Sequence, residues 1–294
     1  MEFKPLNYSK VLKTYPFTKE CKDFEWREIN KKELKRIQGK YNNREKRSDS
    51  RKYYLETITD AMKLGKAGSQ SDEAGILNTI FNIIKPKNKT FVEFYPKYDA
   101  PEGNIANFST VRFLKEHKKW KGVVFDRIVE NTKINIYREL VTVNNILPLL
   151  KRYKVKKDID LMSISTSVIN YHLWDVISAN RLADIKNKKI VKILSELDKT
   201  LIKKKDVYRP RVLVIQYNCV KKKGYEKYDP NYNWEVEKGY QDTSLCSLNK
   251  LSVERGYILV QTNGVNAFFI RKDIYNGLKN PNMYFLNAGK VSKL

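Results

Sequence analysis

Residues 90–107 decide the fold of this chain, and their sequence is Thr-Phe-Val-Glu-Phe-Tyr-Pro-Lys-Tyr-Asp-Ala-Pro-Glu-Gly-Asn-Ile-Ala-Asn. A short apolar run carries a single acid, Glu93, and a loop rich in Pro, Asp, Gly and Asn follows it. A helical pattern then covers residues 109–117, so the sequence predicts a strand, a turn and a helix in one unit. In open α/β sheets a ligand lies outside the carboxyl ends of the strands, so this loop borders the expected site.

The loop after this strand is unusual for a cofactor-binding loop. A nucleotide-type cofactor favours glycines there, because the backbone must approach the cofactor closely. This chain instead has Tyr95, Pro96 and Lys97. Tyr95 brings a large side chain and Pro96 lacks a backbone N–H donor, so we do not expect tight binding of such a cofactor.

Strands and helices alternate along the rest of the chain. Apolar runs predict strands at residues 91–94, 122–126, 139–143, 159–164 and 212–217. Periodic apolar positions predict helices at residues 72–84, 109–117, 144–150, 170–180, 186–203 and 245–254. A β-hairpin with an Asn263-Gly264 turn is predicted from Tyr257 to Arg271. The alternation indicates an α/β fold with a mostly parallel sheet, helices on both faces and a C-terminal antiparallel β-hairpin.

The chain is strongly basic, with a formal net charge of +25 from 58 Lys and Arg against 33 Asp and Glu. Such a field attracts polyanions such as nucleic acid, phosphorylated glycans or acidic lipid surfaces. A second interpretation stays open, because an AT-rich genome also encodes chains rich in Lys, Asn, Ile and Tyr, whose charges lie on solvated faces. Much basic charge falls in residues 1–65, which we interpret as a basic, partly helical N-terminal extension.

Signals for export or membrane insertion are missing from the sequence. No apolar run approaches about 18 residues, so no transmembrane segment is expected, and the first residues lack the apolar segment of a signal peptide. Cys21, Cys219 and Cys246 are scattered and odd in number, which favours reduced thiols. No pair of them has the spacing of metal ligands. We therefore expect an intracellular, cytoplasmic protein without a metal site.

Four sets of residues match one known family in their order and spacing. They are Ser69-Gln70 with Asp72 and residues 75–77, residues 91–94 with 120–126, residues 160–164 with Asn170-Tyr171 and Trp174, and residues 210–218 with 243–245 and 256–269. In these residues the chain resembles the FkbM-type branch of S-adenosylmethionine-dependent methyltransferases. The resemblance implies a Rossmann-like class I methyltransferase fold over residues 66–275, followed by a C-terminal tail at 276–294, with S-adenosylmethionine as the cofactor if the protein is active.

The resemblance also implies which residues would bind that cofactor. The acid at the end of the second strand would hold the ribose hydroxyls, which assigns Asp126, and Glu93 belongs to the neighbouring strand. Asp99, Ser165 and Ser167 stand at the other cofactor-binding positions. The family carries glycines and acids at several positions where this chain has bulky or neutral residues, so the site is interpreted as degraded.

Asn170 and His172 are the candidate catalytic residues, at the start of the helix that follows the fourth strand. His172 can serve as a general base near neutral pH, whereas a serine hydroxyl needs a partner to do so. A purely structural role for His172 stays open beside the catalytic one. The chain has no Ser-His-Asp arrangement, zinc signature or P-loop, so hydrolase and kinase functions have no support.

Two functions from different classes are consistent with these residues. The first is a non-catalytic module, a methyltransferase-like protein with a degraded cofactor site that binds a partner protein, a glycan or, through its basic surface, a polyanion. The second is an active S-adenosylmethionine-dependent O-methyltransferase that acts on a sugar or glycan hydroxyl. The positions at which the chain lacks the family's glycines and acids cluster at the strand ends, whereas residues 266–269 keep the family pattern. This distribution favours the first function.

Overall fold

Our computed structural model describes residues 73–95, 109–166, 169–198, 206–218, 243–263, 265–279 and 281. The predicted N-terminal extension at residues 1–65 lies outside the described residues, and so does most of the predicted tail at 276–294. The loop at 96–108 and Gly264 of the predicted hairpin turn also lie outside them.

Strands and helices alternate through the described residues. The strands are β1 Thr90–Phe94, β2 Lys121–Asp126, β3 Ile136–Arg138, β4 Leu161–Ile164, β5 Val212–Gln216, β6 Tyr257–Thr262 and β7 Asn266–Arg271. The helices are α1 Glu73–Ile84, α2 Arg112–Lys118, α3 Ile146–Arg152, α4 Asn170–Ser178, α5 Lys188–Leu197, α6 Leu245–Glu254 and α7 Lys272–Asn276. Short 3₁₀ helices occupy Thr132–Ile134 and Leu182–Asp184.

All seven strands form one mixed sheet in the order β3-β2-β1-β4-β5-β7-β6. Strands β1 to β5 are parallel to one another, and β7 runs antiparallel to both β5 and β6. The predicted α/β class, the mostly parallel sheet and the C-terminal antiparallel hairpin are therefore confirmed. The strand order reverses between β1 and β4, and at such a switch point the carboxyl ends of the strands border a crevice.

Alternating side chains of each strand pack into one of two cores, one on each face of the sheet. Val92 and Phe94 of β1 join the larger core, which contains most of α3 and α4. Phe91 joins the smaller core with α1, α2 and one face of β7. The strands are buried on both faces, which explains why they appear in the sequence as continuous apolar runs. Gly122 permits the close contact of β2 with β1, since a Cβ there would lie 2.2 Å from the Phe91 carbonyl oxygen.

The third strand lies earlier in the chain than the sequence predicts. We expected residues 139–143, but β3 covers Ile136–Arg138 and pairs with residues 124–126 of β2. Beyond β3, the carbonyl of Glu139 and the N–H of Val141 bond with the hydroxyl of Tyr95 instead of with another strand. A tertiary contact of one side chain therefore takes the backbone groups that a longer strand would have used.

The helix predicted at residues 186–203 is shorter at both ends, since α5 covers only Lys188–Leu197. The side chain of Asn187 accepts hydrogen bonds from the N–H groups of Lys189 (3.0 Å) and Ile190 (3.4 Å), so it caps the helix. An asparagine at this position favours a start directly after it, and α5 accordingly begins at Lys188. Within the described residues, no helix is long and apolar enough to cross a lipid bilayer.

Candidate functional site

The carboxyl edge of the parallel strands brings most of the predicted site residues together. Glu93 lies in β1, Asp126 ends β2 and Ser165 follows β4, and these three strands are neighbours in the sheet. Asn170 begins α4, directly after the β4 loop. The sheet topology thus places these groups at one edge, as expected from the sequence. Asp99 and Ser167 lie outside the described residues, so their assignments stay predictions.

Glu93 is buried and binds the residues that precede α2. Its Oε2 accepts a hydrogen bond from the Ser109 hydroxyl (2.5 Å), and its Oε1 accepts one from the Thr110 N–H (2.8 Å). Burial raises the pKa of Glu93 from 4.5 to about 7, although the bonds from Ser109 and Thr110 lower it. The carboxyl group therefore changes its charge near neutral pH, which is the range in which a general acid or base is effective.

Ser163 lies beside Glu93 on the same face of the sheet, because the two residues are paired in the parallel register of β1 and β4. Its side chain is fully buried, and its hydroxyl has no hydrogen-bond partner in the described part of the chain. A buried hydroxyl without a partner is uncommon in folded proteins. The interior beneath the crevice is therefore polar around Glu93 and Ser163.

Asp126 is buried at the end of β2 and organises the turn that follows. Its Oδ1 accepts hydrogen bonds from the N–H groups of Ile128 (2.8 Å) and Val129 (2.9 Å). Among the described residues, Oδ2 has no hydrogen bond. One oxygen thus holds the turn, and a single oxygen remains for a ligand hydroxyl.

Tyr95 follows β1 with a left-handed backbone, φ +50°, which is a conformation that favours glycine. Its N–H donates to the Phe125 carbonyl (2.8 Å), and its ring is buried in the larger core. The hydroxyl donates to the Glu139 carbonyl (2.9 Å) and accepts from the Val141 N–H. The Arg127 guanidinium lies over the ring, 5.2 Å from its centroid. Burial raises the pKa of Tyr95 to about 12, so the hydroxyl stays protonated and can donate.

The Tyr95 side chain crosses the carboxyl end of β2. Its backbone follows β1, whereas its hydroxyl bonds with Glu139 and Val141, which follow β3. Strand β2 lies between β1 and β3, with neighbouring strands about 4.8 Å apart. The aromatic ring therefore lies over the end of the strand that carries Asp126.

Asn170 ties the ends of β4 and β5 together. Its Oδ1 accepts from the N–H of Thr166 (2.7 Å) and from the Thr166 hydroxyl (2.8 Å). Its Nδ2 donates to the Gln216 carbonyl (3.0 Å) at the end of β5. Asn170 is fully buried, so its side-chain amide has a positioning role in this geometry. Ser165 is only partly buried, and its N–H donates to the Phe94 carbonyl (3.2 Å), which extends the pairing of β4 with β1.

His172 lies on α4, a helix whose residues are all buried. Only 1% of the residue is exposed, and its ring makes an edge contact with the Tyr171 ring at a centroid distance of 5.5 Å. A general base must reach the proton that it removes, directly or through one water molecule. The burial of His172 favours its structural role, and the catalytic assignments of His172 and Asn170 stay predictions.

A third buried carboxylate, in addition to Glu93 and Asp126, lies near this edge and was not expected from the sequence. Glu73 begins α1, and its Oε1 accepts from the side-chain amides of Asn263 (3.1 Å) and Asn266 (2.9 Å) in the C-terminal hairpin. The bonds pin the start of α1 to the hairpin. The only sequence signal is an acid in the first turn of an apolar helix, which is common at exposed positions as well.

Family models and curated proteins offer no relative of this chain. A scan against protein-family models finds no match for this chain, and a search of curated proteins finds no match either. The resemblance to FkbM-type methyltransferases therefore rests on the residues quoted above.

Proposed function

We propose that this chain is a methyltransferase-like protein whose own residues fill the S-adenosylmethionine position, and that it acts as a non-catalytic binding module. Its partner would be a protein or a glycan held at the carboxyl edge of the sheet. The observation that carries the proposal is the position of Tyr95, with its ring across the end of β2 and its hydroxyl bonded to two backbone groups.

The groups that would contact the cofactor are largely used within the protein. The N–H of Tyr95 bonds with β2 and the N–H of Ser165 bonds with β1, so neither is directed to a ligand. One oxygen of Asp126 holds the turn at 128–129. Ligands approach a strand end closely where a glycine leaves the backbone bare, but here an aromatic ring covers it. The residues present do not fit S-adenosylmethionine.

The architecture supports the methyltransferase-like part of the proposal. A mostly parallel sheet with a terminal antiparallel hairpin is what the family resemblance implies, and the described residues have it. Scaffold residues of the resemblance are buried, including Trp174 and Phe268. A fold alone does not establish an activity, so the functional part rests on the site.

The second candidate is an S-adenosylmethionine-dependent O-methyltransferase that acts on a sugar or glycan hydroxyl. Glu93 favours it, because burial raises the pKa of this carboxyl group to about 7 next to the crevice. A group with such a pKa can accept a proton from a hydroxyl at neutral pH. Glu93 is buried and bonded to Ser109 and Thr110, however, which supports the binding module more than the enzyme.

Replacing Tyr95 with glycine tests the proposal, since glycine suits the left-handed backbone and removes the ring. We expect millimolar S-adenosylmethionine to leave the melting temperature of the wild type unchanged and to raise that of Tyr95→Gly. A ligand at 100 times its Kd stabilises a protein by about 2.7 kcal/mol, which is readily measured by thermal unfolding. Circular dichroism checks that the variant is folded.

Tyr95→Phe is the matched control, because it keeps the ring and removes only the hydroxyl bonds. We expect it to resemble the wild type and to show no stabilisation by the cofactor. Cofactor stabilisation of the wild type would favour the enzyme. A folded Tyr95→Gly variant that gains nothing from the cofactor would show that the ring is not the obstacle.

A further inference from the structure

The opposite, amino edge of the sheet carries a cluster of lysines. Three helix-to-strand turns lie there, leading from α1 to β1, from α2 to β2 and from α3 to β4. Each contributes exposed lysines, and we give the name lysine edge to six of them: Lys85 and Lys89 before β1, Lys119 and Lys121 at the start of β2, and Lys154 and Lys156 before β4. Lys87 and Lys157 of the same turns are also exposed, but they pair with Asp158 and Asp206.

The three turns form one continuous surface. Strands β2, β1 and β4 are consecutive in the sheet, so their starts lie about 4.8 Å apart from strand to strand. The N–H of Lys121 donates to the Lys89 carbonyl (3.0 Å), and the N–H of Asp160 donates to the Thr90 carbonyl (3.1 Å). These bonds join the turn before β1 to the turns on either side of it.

The nearby acids are already bonded to other groups. Asp160 is fully buried and accepts hydrogen bonds from the N–H groups of residues 87–89, at 2.6 to 2.8 Å. The Arg211 Nε also lies 3.0 Å from its Oδ1. Asp158 pairs with Lys87 and Arg271, each at 2.7 Å. No lysine of the lysine edge pairs with a carboxylate of the described residues, so their charges are not neutralised by these acids.

Four of the six lysines occupy backbone conformations that favour glycine. The φ angles are +52° at Lys85, +50° at Lys89, +58° at Lys119 and +52° at Lys154. A left-handed conformation costs an ordinary residue about 1–2 kcal/mol, and helices commonly end on glycine for this reason. The lysines at these positions therefore add charge at the cost of backbone strain, although Lys85, Lys119 and Lys154 follow helix ends, a position that also suits a cation.

We infer that the lysine edge binds the phosphate backbone of a nucleic acid without reading its bases. Nucleic acid has the high linear charge density that a cluster of unpaired lysines matches, and such binding is driven by the release of counterions. Phosphate contacts carry no sequence information by themselves. The site lies at the edge opposite to Tyr95, so the inference is independent of the proposed function.

An acidic membrane fits this surface less well. Stable attachment to a bilayer needs an apolar or lipid anchor in addition to basic charge. The large hydrophobic residues exposed in the described part of the chain are Ile128, Leu140, Leu197 and Val253, and none lies in the three turns. The lysine edge thus offers charge alone, which favours a nucleic acid as the partner.

The lysines with a left-handed backbone conformation allow a test in which a loss of binding cannot be confused with a loss of folding. The variant Lys85→Gly, Lys89→Gly, Lys119→Gly removes three charges and relieves three strained positions, so we expect it to melt no lower than the wild type. Its binding to a short fluorescein-labelled single-stranded RNA of mixed sequence should be at least about tenfold weaker near 0.1 M salt. The slope of log K against log salt should become shallower by about 2.

The matched control removes three exposed charges outside the lysine edge, by the substitutions Lys133→Gln, Arg138→Gln and Lys250→Gln. These residues lie in the first 3₁₀ helix, in β3 and in α6. We expect it to keep most of the affinity, and a single-stranded DNA of the same sequence to bind with a similar salt dependence. Equal losses in the two triple variants would overturn the inference, because net charge would then explain binding. Binding to phosphatidylserine vesicles or heparin without binding to RNA would also overturn it.

Discussion

Replacing Glu93 with glutamine is expected to remove a pH dependence of about 3 kcal/mol from the free energy of unfolding. Burial raises the pKa of Glu93 from 4.5 to about 7 in the folded protein. The folded state therefore keeps a proton between these pH values that the unfolded state has released. Because the unfolded state binds fewer protons in this window, the contribution of Glu93 to stability is present below pH 4.5 and is lost as the pH rises to about 7.

Urea unfolding of the wild type and Glu93→Gln over a pH series measures this effect. The difference in free energy of unfolding between the two proteins should be constant below pH 4.5. As the pH rises above 7, it should shift in favour of the variant by up to about 3 kcal/mol. Other titrating groups cancel when the difference is taken. A difference that is constant over the whole series would contradict the buried position of this carboxyl group.

Ser109→Ala gives a second check on the same group. The Ser109 hydroxyl donates to Glu93 at 2.5 Å and lowers its pKa. Its removal should therefore raise the pKa further and shift the pH-dependent difference to higher pH. An unchanged pH profile would show that the hydroxyl bond is absent in solution.

The second large effect is expected at Arg255, whose charge lies against a fully buried carboxylate. Its Nη2 is 2.5 Å from the Asp175 Oδ1 and donates to the Asp184 carbonyl at 2.8 Å. Asp175 also accepts from the Lys186 N–H at 2.6 Å. Removing one member of a buried ion pair leaves an uncompensated charge, which typically costs about 3–5 kcal/mol. We therefore expect Arg255→Met to lower the free energy of unfolding by about 4 kcal/mol.

A double-mutant cycle tests this explanation. Asp175→Asn in the Arg255→Met background removes the remaining charge and keeps an oxygen for the Lys186 N–H, so it should recover much of the loss. Arg181→Met is the matched control, because its pair with Asp184 is exposed to solvent and should contribute much less to stability than the buried pair. An Arg255→Met variant no less stable than Arg181→Met would contradict the prediction.

The central strands could be predicted from the sequence with small errors at their ends. Strands β1, β2, β4 and β5 lie within two residues of the expected positions, because parallel strands buried on both faces are continuous apolar runs. The hairpin and α6 also agree with their patterns. In these segments local sequence and tertiary burial favour the same structure, so the pattern is sufficient.

Segments that depend on distant contacts could not be predicted as well. The start of α2 is three residues later than expected, because Ser109 and Thr110 bond with Glu93 before the helix begins. The expected third strand is displaced because Tyr95, more than forty positions earlier, takes the backbone groups of Glu139 and Val141. Neither bond leaves a periodic signal in the sequence.

The candidate site was predicted in its location and only partly in its chemistry. Strand ends identify Glu93 and Asp126 from the sequence, since acids after apolar runs are visible there. The pKa shift of Glu93 depends on its burial, and the direction of the Tyr95 ring depends on a positive φ angle. Both properties arise only when the strands are assembled.

A calorimetric titration of the wild-type chain with S-adenosylmethionine tests most directly whether Tyr95 fills the cofactor position. We expect no saturable heat up to millimolar cofactor, because the ring covers the end of β2 and Asp126 has one free oxygen. A saturable heat with a Kd in the micromolar range would contradict the filled position and make the O-methyltransferase the leading function.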